Sequence, residues 1–268
     1  MGGIGNQLFQ YAFAKKLALE TDAMLLLDTG IYALDIPGIT KRHLELFQFP
    51  VHAEILTEER LKQLPAELFL LEETCDFIYE EINIHDIDFP LYIQGYWQSW
   101  KYLHPIAQIL RSELCFQAER LSEQVITFGR MLSKTSSVGI HIRRTDYAKY
   151  PQLGILPVSY YRCAVRFFNQ TGADFTFYVF SDDPDWVEAD LNLQSSFQVV
   201  RGHSGFEDLY LMSQCRNNII ANSTFGWWAA WLNPNPDKMI VAPQFWKLGE
   251  GLEVSKTDLI PPEWISLW

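Results

Sequence analysis

From residue 137 to residue 242, short apolar runs alternate with amphipathic segments of helical period, and this alternation narrows the possible folds more than any other feature of the chain. The runs Ser137–Ile142, Phe175–Phe180, Phe197–Val200, Asn218–Ala221 and Met239–Ala242 read as buried strands. Between them, Pro157–Gln170 carries an apolar stripe of Tyr161, Ala164, Val165 and Phe168, with Pro157 near its first turn and Gly172 beyond its end. Ser204 and Glu207 form the signature of a capping box before a further helix, and Thr224–Leu232 reads as a short one. Strands separated by helices must cross over, so the pattern predicts a parallel sheet covered by helices, an α/β fold.

The first half is less regular. A helix is expected from Asn6 to Glu20, with Phe9, Phe13 and Leu17 on one face and Asn6 as N-cap. Met24–Leu27 reads as a buried strand, Thr57–Leu64 as a helix, Leu91–Gly95 as a strand, and Ile106–Leu114 and Leu121–Leu132 as helices. Met239–Ala242 is expected to be the last strand. Two Rossmann-like domains are therefore expected, over residues 1–125 and 126–268.

Hydrophobic residues make up 48% of the 268-residue chain and aromatics 15%, enough for a sizeable core and against disorder. The formal net charge of −12 disfavours nucleic acid as a partner, since a phosphate backbone selects a basic surface. No apolar run reaches the roughly 18–20 residues of a membrane span, and the start lacks the charged and apolar regions of a signal peptide. A cytoplasmic protein is expected, at most peripheral to an inner membrane. Cys75, Cys115, Cys163 and Cys215 are widely spaced, which suits reduced and mostly buried thiols.

In an open parallel sheet ligands bind beyond the carboxyl ends of the strands, and that is where the polar clusters fall. His141-Ile142-Arg143-Arg144-Thr145-Asp146 ends the first strand, Ser181-Asp182-Asp183 the second, and Asn222-Ser223-Thr224 a later one. Adjacent guanidiniums suit a bidentate grip on phosphate oxygens. Alternation turns one arginine to the ligand and the other to the protein, and places His141 and Arg143 on one face. The plainer alternatives are an arginine salt bridge with Asp146 and a histidine satisfied in the core. Asp183 before Pro184 reads as an N-cap; Asp182 is open between ligand and brace. One of Asn222, Ser223 and Thr224 is expected to cap the following helix while its N–H groups face a phosphate. Asp208 lies in a first helical turn, where the dipole alone would favour a carboxylate. Gly2-Gly3-Ile4-Gly5 precedes a helix but is not a phosphate-loop motif, and adjacent aspartates are not the separated pair of metal-dependent sugar transfer.

Taken together, these stretches resemble the α-1,2-fucosyltransferases of glycosyltransferase family 11. The resemblance is carried by Gly2-Gly3-Ile4-Gly5-Asn6-Gln7-Leu8-Phe9-Gln10-Tyr11-Ala12, by His141–Tyr147, by Pro157 with Tyr160-Tyr161, by Val179–Asp183 and by Ala221-Asn222-Ser223-Thr224-Phe225-Gly226-Trp227-Trp228. It implies a GT-B-like fold, two Rossmann-like domains facing across a cleft, with GDP-fucose in the C-terminal one. It implies inverting, metal-independent transfer of L-fucose to the 2-hydroxyl of a terminal galactose, with no cofactor. By the resemblance Arg143, His141 and Asp146 are the catalytic group, Arg143 gripping the β-phosphate. Gly3, Asn6, Gln7, Arg144, Ser181, Asp182, Asp208, Asn222, Ser223, Thr224 and Phe225 hold the donor, with His141 and Asp208 reading guanine or ribose. Tyr96 and Trp97 are placed against the acceptor sugar, although an aromatic cluster can equally be core.

Two departures from the family accompany the match. Its glycine motif follows a strand, whereas none precedes Gly2 here, so the N-terminal sheet is expected to lack its first strand. Where α-1,6 relatives place a glutamate, five residues after the motif aspartate, this chain has Pro151. Asp146 is then the nearest carboxylate, either a base or a brace. The rival readings are a fucosyltransferase of another linkage, a GDP-sugar hydrolase, and a non-catalytic nucleotide- or sugar-binding module.

Overall fold

A computed structural model of the chain describes residues 2–35, 40–84, 89–150, 153–247, 252–253 and 257–268; Pro151 lies outside them. The chain divides into two compact units, Met1–Cys115 with Thr257–Leu259, and Phe116–Lys256 with Ile260–Trp268. The second begins before the expected residue 126.

In the first unit α1 (Ile4–Thr21) is capped at Gly3, so Asn6 lies inside the helix and is not its N-cap. Phe9, Phe13 and Leu17 are buried along it, as their spacing requires. β1 (Leu26–Leu27) pairs in parallel with β2 (Glu54–Ile55), and β3 (Phe69–Glu72) with β4 (Leu91–Gln94). Among the described residues these are separate two-stranded pairs, not the continuous sheet expected. The segment read as a buried strand from Met24 is only two residues long and half-buried, with Met24 itself exposed. α2 (Glu58–Leu61) starts on a Thr57 cap, and α3 (Trp100–Leu103) and α4 (Ala107–Glu113) follow β4.

The second unit opens with α5 (Glu123–Lys134), N-capped by Ser122. It then follows the alternation read from the sequence: β5 (Ser137–Ile142), α6 (Val158–Gln170), β6 (Thr176–Ser181), α7 (Pro184–Asp190), β7 (Phe197–Val199), α8 (Gly205–Gln214), β8 (Asn217–Ile219), α9 (Thr224–Leu232) and β9 (Ile240–Pro243). The capping box at Ser204 and Glu207 is fully formed, and Gly172 takes the left-handed conformation that ends α6 (φ 79°). β9 is not the last strand. β10 (Phe245–Lys247) and β11 (Leu252–Glu253) form an antiparallel pair, and β12 (Ile265–Leu267) joins the main sheet beside β9.

The six strands run in the order β12-β9-β8-β5-β6-β7, all parallel. β5 is central and buried at every residue, because each face carries helices. Val138, Ile140 and Ile142 pack with Tyr160, Tyr161, Ala164, Val165 and Phe168 of α6. On the opposite face Gly139 and His141 lie against α8, β8 and α9. A Cβ on Gly139 would come 3.1 Å from the Cys215 sulfur, and one on Gly226 would come 2.8 Å from His141 Nδ1. From β5 the chain proceeds to β6 and β7 on one side, then returns to β8 and β9 on the other. The crevice between the carboxyl ends of β5 and β8 is therefore the switch point of the sheet, where open α/β folds bind ligands.

The cysteines depart from expectation. Cys215 alone is buried, while Cys75, Cys115 and Cys163 are exposed on loop or helix surfaces.

Candidate active site

The backbone leaves β5 at Ile142 and turns at once, so the polar residues that follow are fixed by their own contacts. Arg143 donates from Nε to Asp146 Oδ1 at 2.8 Å and from Nη2 to Asp146 Oδ2 at 2.6 Å. Asp182 Oδ2, from the end of β6, stands 3.3 Å from the same Nε. Burial opposes the charge on Arg143, but the two aspartates outweigh it and raise its pKa. The described contacts engage Nε and Nη2, and none engages Nη1. A guanidinium held in this way is a fixed cation with an edge to spare.

Arg144 turns to the protein, as alternation predicted for one of the pair. Its Nε lies 3.3 Å from Asp183 Oδ2 and its guanidinium stacks on Trp186, 3.6 Å from the ring centroid. Asp182 accepts from Arg144 N–H (2.9 Å), Thr145 N–H (3.1 Å) and Thr145 Oγ1 (2.5 Å). It ties the loop after β5 to the end of β6. Ser181 Oγ accepts from Asp183 N–H at 3.0 Å, and Asp183 caps α7 through Trp186 N–H at 3.3 Å. Arg144, Ser181 and Asp182, expected at the donor, are each held by protein partners, Asp182 through both carboxylate oxygens and Arg144 through Nε and its stacked face alone.

His141 is buried on the crevice side of β5, 5.2 Å between ring centroids from Phe225. Burial, reinforced by the Arg143 charge, drives its pKa down to about 3, so the ring is neutral. Its Nδ1 has no hydrogen-bond partner. The core alternative for His141 predicted a satisfied ring; an unsatisfied one invites a ligand.

Across the switch point, Asn222 donates to Leu153 O (2.9 Å), Gly154 O (3.1 Å) and Trp246 O (2.9 Å). Its Nδ2 therefore braces the turn after β8 against two other segments of the unit. Ser223 occupies the N-cap of α9, and its side chain makes no capping hydrogen bond. The N-terminus of α9, with Thr224 and Phe225 in its first turn, therefore keeps the dipole and N–H character that attracts anions. Tyr147, not singled out from the sequence, donates to Asn222 O at 2.8 Å and links the arginine loop to this turn. Burial pushes its pKa up to about 12, keeping it a donor.

Asp208 sits in the first turns of α8 but does not cap it, a task done by Ser204. One carboxylate oxygen is buried without a partner, and burial, with a smaller contribution from Glu207, raises its pKa to about 7.

The remaining predicted residues lie in the first unit. Gln7 donates to Gly2 O (3.0 Å) and His43 O (2.7 Å) and accepts from Glu45 N–H (2.8 Å) and Leu46 N–H (3.0 Å). All four of its bonds are made to backbone, so it is a clamp on the start of α1, not a ligand donor. Gly3 caps α1, and Asn6 Oδ1 accepts from Gln98 Nε2 at 3.1 Å. Trp97 is core: 1% exposed and stacked on Phe13 at 3.9 Å and 8°. Tyr96 alone of the proposed acceptor pair is half-buried. Among the described residues no helix is long and apolar enough to cross a membrane, and no group of three His, Cys, Asp or Glu side chains is arranged for a metal ion.

A family model described as glycosyl transferase family 11 matches residues 34–267. The O-antigen biosynthesis glycosyltransferase WbnK of Escherichia coli is 29% identical, covering 99% of this chain and 98% of its own length. The alpha-1,2-colitosyltransferase of Escherichia coli is 27% identical over 99% and 96%. The galactoside alpha-(1,2)-fucosyltransferase 1 of Plecturocebus brunneus is 25% identical over 99% and 73%. Among solved structures, the NodZ alpha-1,6-fucosyltransferase co-crystallised with GDP aligns with a TM-score of 0.54 at 14% identity, over 87% of this chain and 90% of its own. The fold is that of the GT-B-like fucosyltransferases.

Proposed function

We propose, on the premise that this chain belongs to glycosyl transferase family 11, that it transfers L-fucose from GDP-β-L-fucose to the 2-hydroxyl of a terminal galactose, inverting the anomeric centre to an α-1,2 linkage. The observation that carries this reading is Arg143, fixed by Asp146 and Asp182 at the carboxyl end of β5, the strand next to the one that leads into α9, whose N-cap Ser223 makes no side-chain capping bond.

In the reaction the acceptor oxygen attacks the fucose anomeric carbon from the face opposite GDP. The carbon–oxygen bond to the β-phosphate breaks, its electron pair stays on GDP, and the proton of the acceptor hydroxyl passes to solvent as the new bond forms. Positive charge grows on the sugar and negative charge on the β-phosphate. Arg143 and the α9 N-terminus meet that negative charge without reorganising, which is the most effective form of electrostatic catalysis. Neutral His141 and the half-buried Asp208 read the nucleotide; a carboxylate matches the paired N–H donors of guanine. Asp146 is a brace here, both of its oxygens being committed to Arg143.

The test is incubation of the purified protein with GDP-fucose and a panel of lactose, N-acetyllactosamine and methyl β-galactoside, with the product linkage assigned by NMR. An α-1,2 product supports the reading. A different linkage overturns the subclass, and free fucose formed equally with or without galactosides identifies a hydrolase. The colitosyltransferase relative favours a second reading of the donor, so the corresponding colitosyl donor is assayed in parallel; its preferential use would replace fucose.

A further inference from the structure

Serine is among the strongest helix N-caps, because its hydroxyl accepts from the second or third amide of the helix it begins. Ser99, Ser122 and Ser204 do this for α3, α5 and α8. Ser223 begins α9 and does not. Its backbone is not the cause. Ser223 has φ −139° and ψ 136°, while Ser99, which caps, has φ −140° and ψ 133°. The difference lies in what else the hydroxyl can reach.

What it reaches is Tyr147. The Tyr147 phenol donates to Asn222 O at 2.8 Å, and the Ser223 side chain hydrogen-bonds to that phenol. A hydroxyl engaged there does not serve the start of α9. The first backbone bond at that end runs from Trp227 N–H to Ser223 O at 3.1 Å, so the Phe225 and Gly226 amides lie outside the helical ladder. These are the two amides that a capping serine would take.

A second feature at this helix end calls for a ligand. His141 is 3% exposed and its Nδ1 has no hydrogen-bond partner. A Cβ on Gly226 would come within 2.8 Å of that nitrogen, so the unsatisfied imidazole lies against the first turn of α9. Arg143 belongs to the same end of the sheet. β5 and β8 pair with Ile140 opposite Ile219, and three residues further along each chain come Arg143 and Asn222. Tyr147 directly follows Asp146, whose carboxylate holds Arg143 at 2.8 and 2.6 Å. One short turn therefore fixes the guanidinium through one residue and the start of α9 through the next.

Resting on the transferase reading above, we propose that Tyr147 is a positioning residue for the donor β-phosphate: by holding the Asn222–Ser223 turn it keeps the serine hydroxyl off the start of α9, leaving the Phe225 and Gly226 amides for the phosphate that Arg143 grips. Amides at a helix N-terminus, backed by the helix dipole, suit a phosphate oxygen. Donors already held in place need no reorganisation as charge grows there.

The test compares wild type, Tyr147→Phe and Tyr147→Phe/Ser223→Ala by calorimetry with GDP and with GMP, which lacks the β-phosphate. Tyr147→Phe releases the serine to cap α9 and is expected to weaken GDP binding roughly ten-fold, the scale of one hydrogen bond to a charged group, with GMP affinity little changed. Ser223→Ala added to Tyr147→Phe recovers part of the GDP affinity, because no hydroxyl remains to occupy the amides. A general loosening of the fold would weaken both nucleotides alike and would not be relieved by a second substitution. Should Tyr147→Phe fail to fold, NMR of the wild type carries the test, with the Phe225 and Gly226 amide resonances expected to shift with GDP and hardly with GMP. Unchanged GDP affinity in folded Tyr147→Phe overturns the proposal, as does an equal loss for GDP and GMP or amide resonances that respond to neither. Transfer to lactose is measured separately: the expected GDP discrimination without any fucosylated product leaves the Tyr147 role standing and removes the transferase reading instead.

Discussion

Arg143 and Asp146 face each other through two parallel hydrogen bonds, Nε to Oδ1 at 2.8 Å and Nη2 to Oδ2 at 2.6 Å. This fork fixes the plane of the guanidinium before any ligand arrives, as a catalytic cation requires. Arg143→Ala should therefore reduce the transfer rate by roughly 10²–10³ or more. Arg143→Lys should not rescue it, since an ammonium cannot make the fork. Initial rates at saturating substrates, with circular dichroism to verify folding, decide this; near-normal turnover in either folded variant contradicts the assignment.

Asp146 should behave as a brace and not as a base. Asp146→Asn keeps an oxygen for Arg143 but loses the charge, and should lower the rate without removing a titrating limb from the pH profile. Loss of an acidic limb in log kcat against pH would instead make Asp146 the proton acceptor.

Gly226 provides the space that His141 fills, with an added Cβ only 2.8 Å from Nδ1 and 3.2 Å from the ring and Cβ carbons. Both neighbours sit on buried secondary structure and have little room to give. Gly226→Ala should destabilise the protein by about 1–3 kcal/mol and weaken GDP binding through displacement of His141. Urea unfolding and calorimetry read the two effects separately. Unchanged values in both would show the helix simply shifting aside.

Asp208 makes stability depend on pH in a defined direction. Its folded pKa is raised to about 7 from an ordinary 3.8, so between these values the folded state binds more protons than the unfolded state. This group therefore lowers stability as pH rises from about 4 to about 7, by at most ~1.4 kcal/mol per pH unit. Asp208→Asn should remove that slope in urea titrations. If the ionised carboxylate accepts from the nucleotide base, GDP binding near pH 7 should also release a proton. Calorimetry in buffers of different ionisation enthalpy detects this, and Asp208→Asn should abolish it.

Asn222 joins three carbonyls from two separate segments through one amide. Asn222→Ala leaves buried acceptors unsatisfied, at about 1–3 kcal/mol for each that water does not reach. The expected result is a clear loss of stability with a smaller loss of GDP affinity. The opposite ranking would mean that the amide contacts the nucleotide after all.

The second unit was legible because its strands and helices are long, regularly periodic and capped by local chemistry. Ser137–Ile142 and Thr224–Leu232 have the limits their apolar patterns indicate, and Ser204, Asp183 and Gly172 act as their residue types suggest. The first unit was less legible. β1 and β2 are two residues each, too short to leave a periodic trace, and the Met24–Leu27 run looked buried only because nothing local shows what covers it. Asn6 has the residue type of a cap but lies within α1, because an asparagine before an apolar stripe reads the same whether the helix starts there or two residues earlier.

Within the site, residue type and position at strand ends selected the arginines, the histidine and the aspartates, since those are properties of the chain read along its length. Whether a polar group faces a ligand or another part of the protein depends on partners distant in sequence. Gln7 meets Glu45, Asp182 meets Arg144, Asn222 meets Trp246, and Glu73 meets Tyr96 and Trp97. A hydrogen-bond donor or acceptor is used up by whichever partner folding brings within about 3 Å. Local sequence therefore determined which elements form and which chemistry they carry; tertiary structure alone decided which polar groups were spent on holding the fold and which, such as the His141 imidazole, were left with unmet bonds.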